Sequence, residues 1–432
     1  RRPPRSTLDR SSAASDVYKR QDNNICESGK FCWYSSTIFF VQSLTAPCRI
    51  IPTSCFSINE IFVDYDKLIY NQYFLDIIVG KSVTFTTNIG CRVNCKFCPQ
   101  DEIMQSYAKK ENLPTINFGD PAMMTYQTFV TMLKKVPKDV MIVFSGFTEP
   151  YLNPECGKMI QYASNCGYTV EVFSTLVGMT LEDVDILNKV KLFRLTIHLP
   201  DKEKYAKIAL TNEFKQILKK IVTLPVQNTY FMTMGTVPED IENIIGIKIN
   251  PSQMVNWAGH IDDGLVTERN EGPLVCSMHE DRDNKHIPPI ILPSGDVVLC
   301  CKDWSMEYIL GNLLNCTFEE LYQSQTYKEV VQKMASENDN VLCRNCEFAI
   351  PVNQIKETQR KLEELNIKPT DTISQKLNGI WMTHLWRPID PEGLLHFYPK
   401  IMNNEISIID VEEHVKNSPE YLSLPKKILM TK

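Results

Sequence analysis

The chain has no apolar run long enough to cross a bilayer. Its most apolar early stretch, residues 33–44, is broken by Ser35, Ser36, Thr37 and Gln42, well short of the roughly 18–20 residues that a spanning helix needs. Nothing in it has the basic, apolar and small-residue order of a secretory signal. Positive charge is not in excess either. The 46 Lys and Arg against 52 Asp and Glu leave a net charge of -6, whereas proteins that bind a phosphate backbone carry a basic face. Neither a membrane nor a nucleic acid is therefore expected as a partner. What the chain does have is cysteine, 15 residues of it. These gather at x3, x2 and x2 spacings and are not spread through a small loop-rich scaffold. That distribution favours metal or cluster ligation in a reducing cytoplasm over disulfides.

A length of 432 residues with 43% hydrophobic and 23% charged side chains is that of an ordinary globular protein of two to three domains. Residues 1–21 are rich in Arg, Ser and Pro. They read as a disordered tail that resembles translated vector sequence. Residues 22–80 read as an N-terminal extension, with Cys26, Cys32, Cys48 and Cys55 too irregularly spaced for a zinc site. From residue 81 a β/α rhythm sets in. Strands are expected over 83–87, 140–144, 169–173, 192–197 and 229–234, with a weaker sixth at 254–255. Helices are expected over 126–136, 159–166, 181–190, 214–222 and 239–245. Strands alternating with helices predict a parallel sheet with right-handed crossovers, and five or six units are too few for an eight-fold barrel. An α/β partial barrel over 81–260 is the expectation, followed by a connector, a cysteine-rich region over 273–350 and an extension over 351–432. That extension opens with a charged helix at 354–365 and carries no chemical motif.

Three thiols follow the first expected strand: Cys91-x3-Cys95-x2-Cys98. Zinc structural sites normally close with a fourth Cys or His, and none lies nearby. A loop this tight points three sulfurs at one centre, which suits a [4Fe-4S] cluster with one iron left free of protein ligands. This spacing, with an aromatic residue (Phe97) before the last cysteine, resembles the signature of the radical SAM superfamily. The resemblance implies a (β/α)6 TIM-like partial barrel, S-adenosylmethionine bound at the open iron, and reactive residues at the C-terminal ends of the strands.

Further candidates follow from it. The stretch Gly146-Phe-Thr148-Glu149-Pro after the second strand is similar to the family segment that holds the methionine amino group, although a second glycine is replaced and a residue is gained. Read alone, it is a turn with a helix-capping acid. Ser174, after the third strand, occupies the place of a family ribose or carboxylate contact, although a Ser-Thr pair there is also ordinary loop chemistry. Asn256 lies in a segment similar to one beside the methionine and adenine. His198 closes the fourth strand and is a candidate for substrate contact or a structural histidine.

The second constellation is Cys276, Cys300, Cys301, Cys316, Cys343 and Cys346. Gly295 and the residues after it read as a hairpin turn feeding a strand that ends at Cys300. Cys343-x2-Cys346 is a knuckle after a helix expected over 318–334. The order resembles the SPASM and shorter twitch extensions of radical SAM enzymes, which hold auxiliary [4Fe-4S] clusters. No cysteine follows Cys346, so a single cluster is expected, with Cys276, Cys300, Cys343 and Cys346 as ligands and Cys316 in reserve. Cys301 follows Cys300 directly and should face the other way as a buried thiol. Taken without the first motif, the same four cysteines suit structural zinc.

The resemblance implies one-electron cleavage of S-adenosylmethionine to a 5′-deoxyadenosyl radical that oxidises or modifies a small molecule or peptide. An electron donor such as flavodoxin or ferredoxin is implied with it. The single auxiliary cluster is similar to that of radical SAM dehydrogenases acting on sugar alcohols. Two rivals remain: a peptide- or protein-modifying maturase, and a non-enzymatic iron–sulfur carrier or zinc-stapled binding protein.

Overall fold

Five of the apolar runs that read as strands form the parallel part of a sheet that counts nine strands among the described residues. The computed structural model describes residues 81–224, 229–252, 255–261, 269–278, 286–368, 370–385, 389–423 and 426–427. The extension at 22–80, with its four cysteines, and the tail at 1–21 lie outside the described residues. Five strands run parallel in the order of the chain: β1 (Ser82–Phe85), then, beyond the short strands β2 (Asn88–Ile89) and β3 (Ala122–Met123), β4 (Met141–Phe144), β5 (Val170–Ser174), β6 (Leu192–His198) and β7 (Thr229–Met232). In β4 every residue is buried, as expected of a parallel strand covered on both faces.

The helices α1 (Gln100–Lys110), α2 (Tyr126–Leu133), α3 (Cys156–Asn165), α4 (Leu181–Leu187), α5 (Asn212–Thr223) and α6 (Glu239–Ile245) fill the connections. From α2 to α6 each packs on the next, which puts these five on one side of the sheet, as in an outer helical layer. Their starts are written locally. Thr125, Thr180 and Thr211 each accept a backbone N–H of the first turn through the side chain, and such caps contribute about 1 kcal/mol each.

The expected sixth strand at 254–255 is not formed by Val255, which is irregular; Met254 lies outside the described residues. The next place in the sheet, beside β7, is taken instead by an antiparallel two-residue strand, β13 (Lys426–Lys427). At the opposite edge, the cysteine-rich region adds β9 (Ile290–Ile291) parallel to β1, then β10 (Asp296–Val298) and β11 (Ile309–Asn312) antiparallel. The hairpin from β9 to β10 turns at Gly295, whose φ of +89° excludes a side chain without strain. The cysteine-rich region is therefore continuous with the barrel sheet. A separate antiparallel pair, β8 (Leu274–Cys276) with β12 (Ala349–Pro351), completes it.

The single helix expected over 318–334 is two, α7 (Phe318–Gln323) and α8 (Gln325–Ala335), broken at Ser324. That residue is extended and caps α8 through its side chain. The described residues from 352 form five helices: α9 (Val352–Glu364), α10 (Thr372–His384), α11 (Pro391–Met402), α12 (Ile408–Lys416) and α13 (Pro419–Ser423). These helices have a small core of their own around Leu377, Trp381, Phe397 and Val411. Among the described residues, no helix is long and apolar enough to cross a membrane.

Candidate functional site: two sets of cysteines

The chain leaves β1 through buried Thr86 and Thr87, makes β2 and turns at Gly90. Its φ is +106°, and a Cβ there would stand 3.0 Å from the Asn117 carbonyl, so the turn needs glycine. Cys91, Cys95 and Cys98 follow at once in a tight loop. The Asn94 N–H donates to the Cys91 carbonyl at 3.2 Å, and the Cys98 N–H to the Cys95 carbonyl at 3.1 Å. Gln100 fastens the loop to the barrel: its amide donates to the Phe147 carbonyl at 2.8 Å and its oxygen accepts the Cys91 N–H at 3.3 Å. Cys91 and Cys95 are buried and Cys98 is half-buried.

Burial pushes the Cys91 thiol up to about 11, while the backbone N–H groups of Val93 and Glu149, directed at its sulfur, pull the other way. Cys95 and Cys98 are hydrogen-bonded through their sulfurs, which lowers Cys95 and raises Cys98, the latter helped by burial. Crowded, desolvated thiols of this kind become thiolates when a cationic centre takes the protons' place. The donor set therefore fits a thiolate-ligated group.

Of the strand-end candidates two touch this loop: the Glu149 N–H is directed at Cys91 and the His198 ring lies on Phe97. Gly146, after β4, has a φ of +82°, and a Cβ there would sit 2.1 Å from Thr86 Oγ1. Thr148 is half-buried and its hydroxyl donates to the Glu149 carbonyl at 3.4 Å. Glu149 is buried. One carboxylate oxygen accepts from the Tyr151 N–H at 3.1 Å and the Ser174 hydroxyl at 2.9 Å. The other accepts from the Thr175 hydroxyl at 2.7 Å and from the Thr175 N–H. Four donors match the roughly four lone-pair sites of a carboxylate. Burial raises its pKa and these donors oppose the rise. Glu149 and Ser174 thus join the ends of β4 and β5, and Glu149 also caps the short 3-10 turn Pro150–Leu152.

His198 ends β6 with its ring stacked on Phe97, the centroids 5.1 Å apart and the planes 10° from parallel. Its Nε2 is buried without a hydrogen-bond partner, and burial lowers its pKa to about 4. Asn256 is buried and its side-chain oxygen accepts the Gly259 N–H at 3.4 Å. Beside it the Trp257 indole N–H donates to the Phe97 carbonyl.

The second set is assembled from three places. Cys276 ends β8 opposite Ala349 of β12. Cys300 lies two residues beyond the end of β10, which stops at Val298. Cys343 lies in the 3-10 turn Leu342–Asn345, with Cys346 as its last cap. All four line one cavity of about 360 Å³, counting its solvent-open part, together with Met278, Leu299, Lys302 and Met334. The Phe348 N–H donates to Cys346 Sγ at 3.4 Å. Burial raises Cys300, Cys343 and Cys346, so these thiols too are neutral until a metal centre deprotonates them.

Two cysteines stand apart. Cys301 is half-buried, packs with the cluster around Trp304 and lies 3.9 Å from Met278 Sδ. Its thiol is enclosed, as expected: burial pushes it up to about 11, and it does not line the cavity that Cys300 lines. Cys316 is outside the cavity, beside Gly311, with its carbonyl accepting from Lys135 at 3.1 Å. Among the described residues, no three His, Cys, Asp or Glu side chains converge on a single ion. A tetrahedral zinc would need all its sulfurs about 2.3 Å from one point.

Three residues in this region escaped the sequence reading. Arg344, between the knuckle cysteines, is 1% exposed. Its guanidinium donates to the carbonyls of Ser336 at 2.7 Å, Asp339 at 3.2 Å and Asn270 at 3.3 Å, and to that of Gly272. Lys302 and Trp257 lie between the two cysteine sets. A fully buried arginine inside a C-x2-C spacer has no signal in spacing alone.

Residues 288–347 match the SPASM family, an iron–sulfur cluster-binding domain. The match takes in Cys300, Cys343 and Cys346, and Cys276 precedes it. No curated protein matches the chain in sequence. Among solved structures the chain is similar to BtrN in complex with AdoMet and 2-DOIA, with 11% identity over 62% of this chain and 94% of that one and a TM-score of 0.43. It is similar to SuiB of Streptococcus suis bound to the precursor peptide SuiA, with 14% identity over 64% and 73% of the two chains and a TM-score of 0.43. A third likeness is to anSMEcpe with bound AdoMet and the Cp18Cys peptide, at 10% identity over 62% and 86% and a TM-score of 0.37.

Proposed function

We propose that this chain is a radical SAM enzyme with one auxiliary iron–sulfur cluster. In this reading Cys91, Cys95 and Cys98 hold the first [4Fe-4S] cluster within a partial barrel over 81–260. Cys276, Cys300, Cys343 and Cys346 hold the second within a SPASM-type region over 273–350. The reaction is oxidation of a small molecule or peptide, dehydrogenase-like, with flavodoxin or ferredoxin as electron donor. The observation that carries it is the four-cysteine cavity, three of whose cysteines lie in a segment that matches an iron–sulfur cluster-binding domain, in a chain that also places three cysteines in one loop after the first barrel strand.

When bound, the first cluster and S-adenosylmethionine supply the one-electron cleavage that yields a hydrogen-abstracting radical. The residues of the chain do the rest. Gly146 lets the backbone come close at the end of β4, and Thr148 lines that turn. Glu149 and Ser174 fix the ends of β4 and β5 to each other, so they act by holding the floor of the site. Phe97 and His198 stack across it, excluding water from the reacting atoms. His198, with its Nε2 unpartnered and its ring neutral, is the side chain assigned to the substrate, and Asn256 is assigned to S-adenosylmethionine.

Anaerobic reconstitution tests the reading. About eight irons per chain are expected for two [4Fe-4S] clusters, together with 5′-deoxyadenosine formed from S-adenosylmethionine under dithionite. Deuterium moving from labelled sugar alcohols or peptides into that product identifies the substrate class. Stoichiometric zinc with no deoxyadenosine would make the chain a zinc-stapled binding protein, and iron without S-adenosylmethionine cleavage would make it a carrier.

A further inference from the structure

Lys302 is held where a lysine is costly. Its side chain is 2% exposed, and taking an ammonium out of water costs several kcal/mol unless the site compensates it. Here the compensation is built from four sides. Glu347 Oε1 accepts from the ammonium at 2.6 Å. The ring centroids of Trp257 and Phe348 lie 4.2 and 4.5 Å from Nζ, within the range of cation–π attraction. The fourth side is the cysteine cavity, of which Lys302 is a lining residue and Glu347 is not. Lys302 thus lines the cavity with its side chain, and both charges of the pair bear on Cys346, Glu347 raising its thiol and Lys302 lowering it.

The backbone around the cage is strained to make this arrangement. Trp257 and Ala258 have φ values of +55° and +58°, a left-handed region that non-glycine residues rarely adopt. In that conformation the Ala258 N–H donates to Glu347 Oε2 at 3.3 Å. The Trp257 ring covers the ammonium while its N–H reaches the Phe97 carbonyl. A cation needed only for stability would be simpler to replace with an apolar residue of similar volume, which is often neutral or stabilising at buried ion pairs.

We infer that Lys302, fixed by Glu347, Trp257 and Phe348, is a positioned charge that raises the reduction potential of the auxiliary cluster. The inference rests on the two-cluster reading above. One-electron reduction makes a thiolate-ligated cluster one unit more negative. A buried cation beside it favours that state, because the net charge around a cluster and its exposure to solvent set its potential. Lys302 therefore tunes the second cluster toward accepting an electron, and leaves the Cys91–Cys98 cluster, on the far side of Trp257, as the low-potential centre.

The test is a redox titration of the reconstituted full chain, followed by electron paramagnetic resonance, on wild type, Lys302→Met, Lys302→Arg and Glu347→Gln. Lys302→Met is expected to lower the auxiliary potential by at least a tenfold change in the reduction equilibrium, about 59 mV for one electron, with iron content and the first cluster unchanged. Glu347→Gln moves it the opposite way, and Lys302→Arg stays near wild type. Unchanged potentials in iron-replete Lys302→Met and Glu347→Gln, or shifts in the same direction, overturn the inference. Should Lys302→Met fail to take up its second four irons, Glu347→Gln decides alone: a raised potential supports the inference, and an unchanged or lowered one overturns it. A wild-type chain that holds only about four irons overturns the two-cluster reading, and this inference with it.

Discussion

The two cysteine sets are built in opposite ways. Cys91, Cys95 and Cys98 belong to a single loop whose shape follows from Gly90, Asn94 and the hydrogen bonds between neighbours. Cys276, Cys300, Cys343 and Cys346 come from a short edge strand, the end of a hairpin and a 3-10 turn, and meet only when β8 pairs with β12 and β9 joins β1. A local site needs little beyond its own turn. An assembled site depends on residues that touch no ligand, and Arg344 is the clearest of them. Lying between two of the cysteines, it ties together backbone carbonyls from residues 270, 272, 336 and 339.

The sharpest break of this contrast comes from paired ligand variants. Cys98→Ala should abolish deoxyadenosine formation while about four irons remain. Cys300→Ala should also leave about four irons but keep S-adenosylmethionine cleavage, now uncoupled from substrate oxidation. If either variant loses both clusters, the sites are not independent. The next effect in size is Arg344→Ala. Removing several charge-assisted hydrogen bonds and leaving buried carbonyls unpaired should cost about 3 kcal/mol, read by urea unfolding of the apo chain. The second cluster should be lost before the first.

A smaller effect concerns the first site and pH. His198 titrates near 4 in the folded chain because it is buried, against an ordinary value of about 6.5. The unfolded chain binds the proton first as pH falls. The contribution of His198 is therefore complete above about pH 6.5 and is lost on the way down to 4, at up to about 1.4 kcal/mol per pH unit. Apo His198→Phe, which keeps a ring against Phe97, should show a flatter stability profile than apo wild type between those limits. A parallel profile would mean that the histidine is already neutralised or solvated. The smallest effect is expected of Cys316→Ala. Lying outside the cavity, it should cost less than about 1 kcal/mol and leave the iron content unchanged, and a loss of iron would return Cys316 to the ligand set.

How much of this was legible follows from the same contrast. The five parallel strands and the helices between them could be read from apolar runs, because burial on both faces writes a continuous pattern into each strand. The sixth strand could not be read, because Val255 lies in no ladder and the sheet edge is filled by a two-residue strand from the far end of the chain. The break at Ser324 was missed because the apolar spacing continues across it and only the capping hydroxyl marks it. Of the strand-end residues, Glu149 is the capping acid that its turn suggested, but its four donors were not foreseen, since Ser174 and Thr175 reach it only through β-sheet register.

The sequence by itself determined the cysteine spacing, the β/α order and the local turns, since each depends on residues close together in the chain. Only the tertiary structure decided which later cysteines share a cavity, that Cys316 does not, and that Lys302 stands on its wall. Those facts depend on strand pairing between distant segments and on where a buried charge can find compensation.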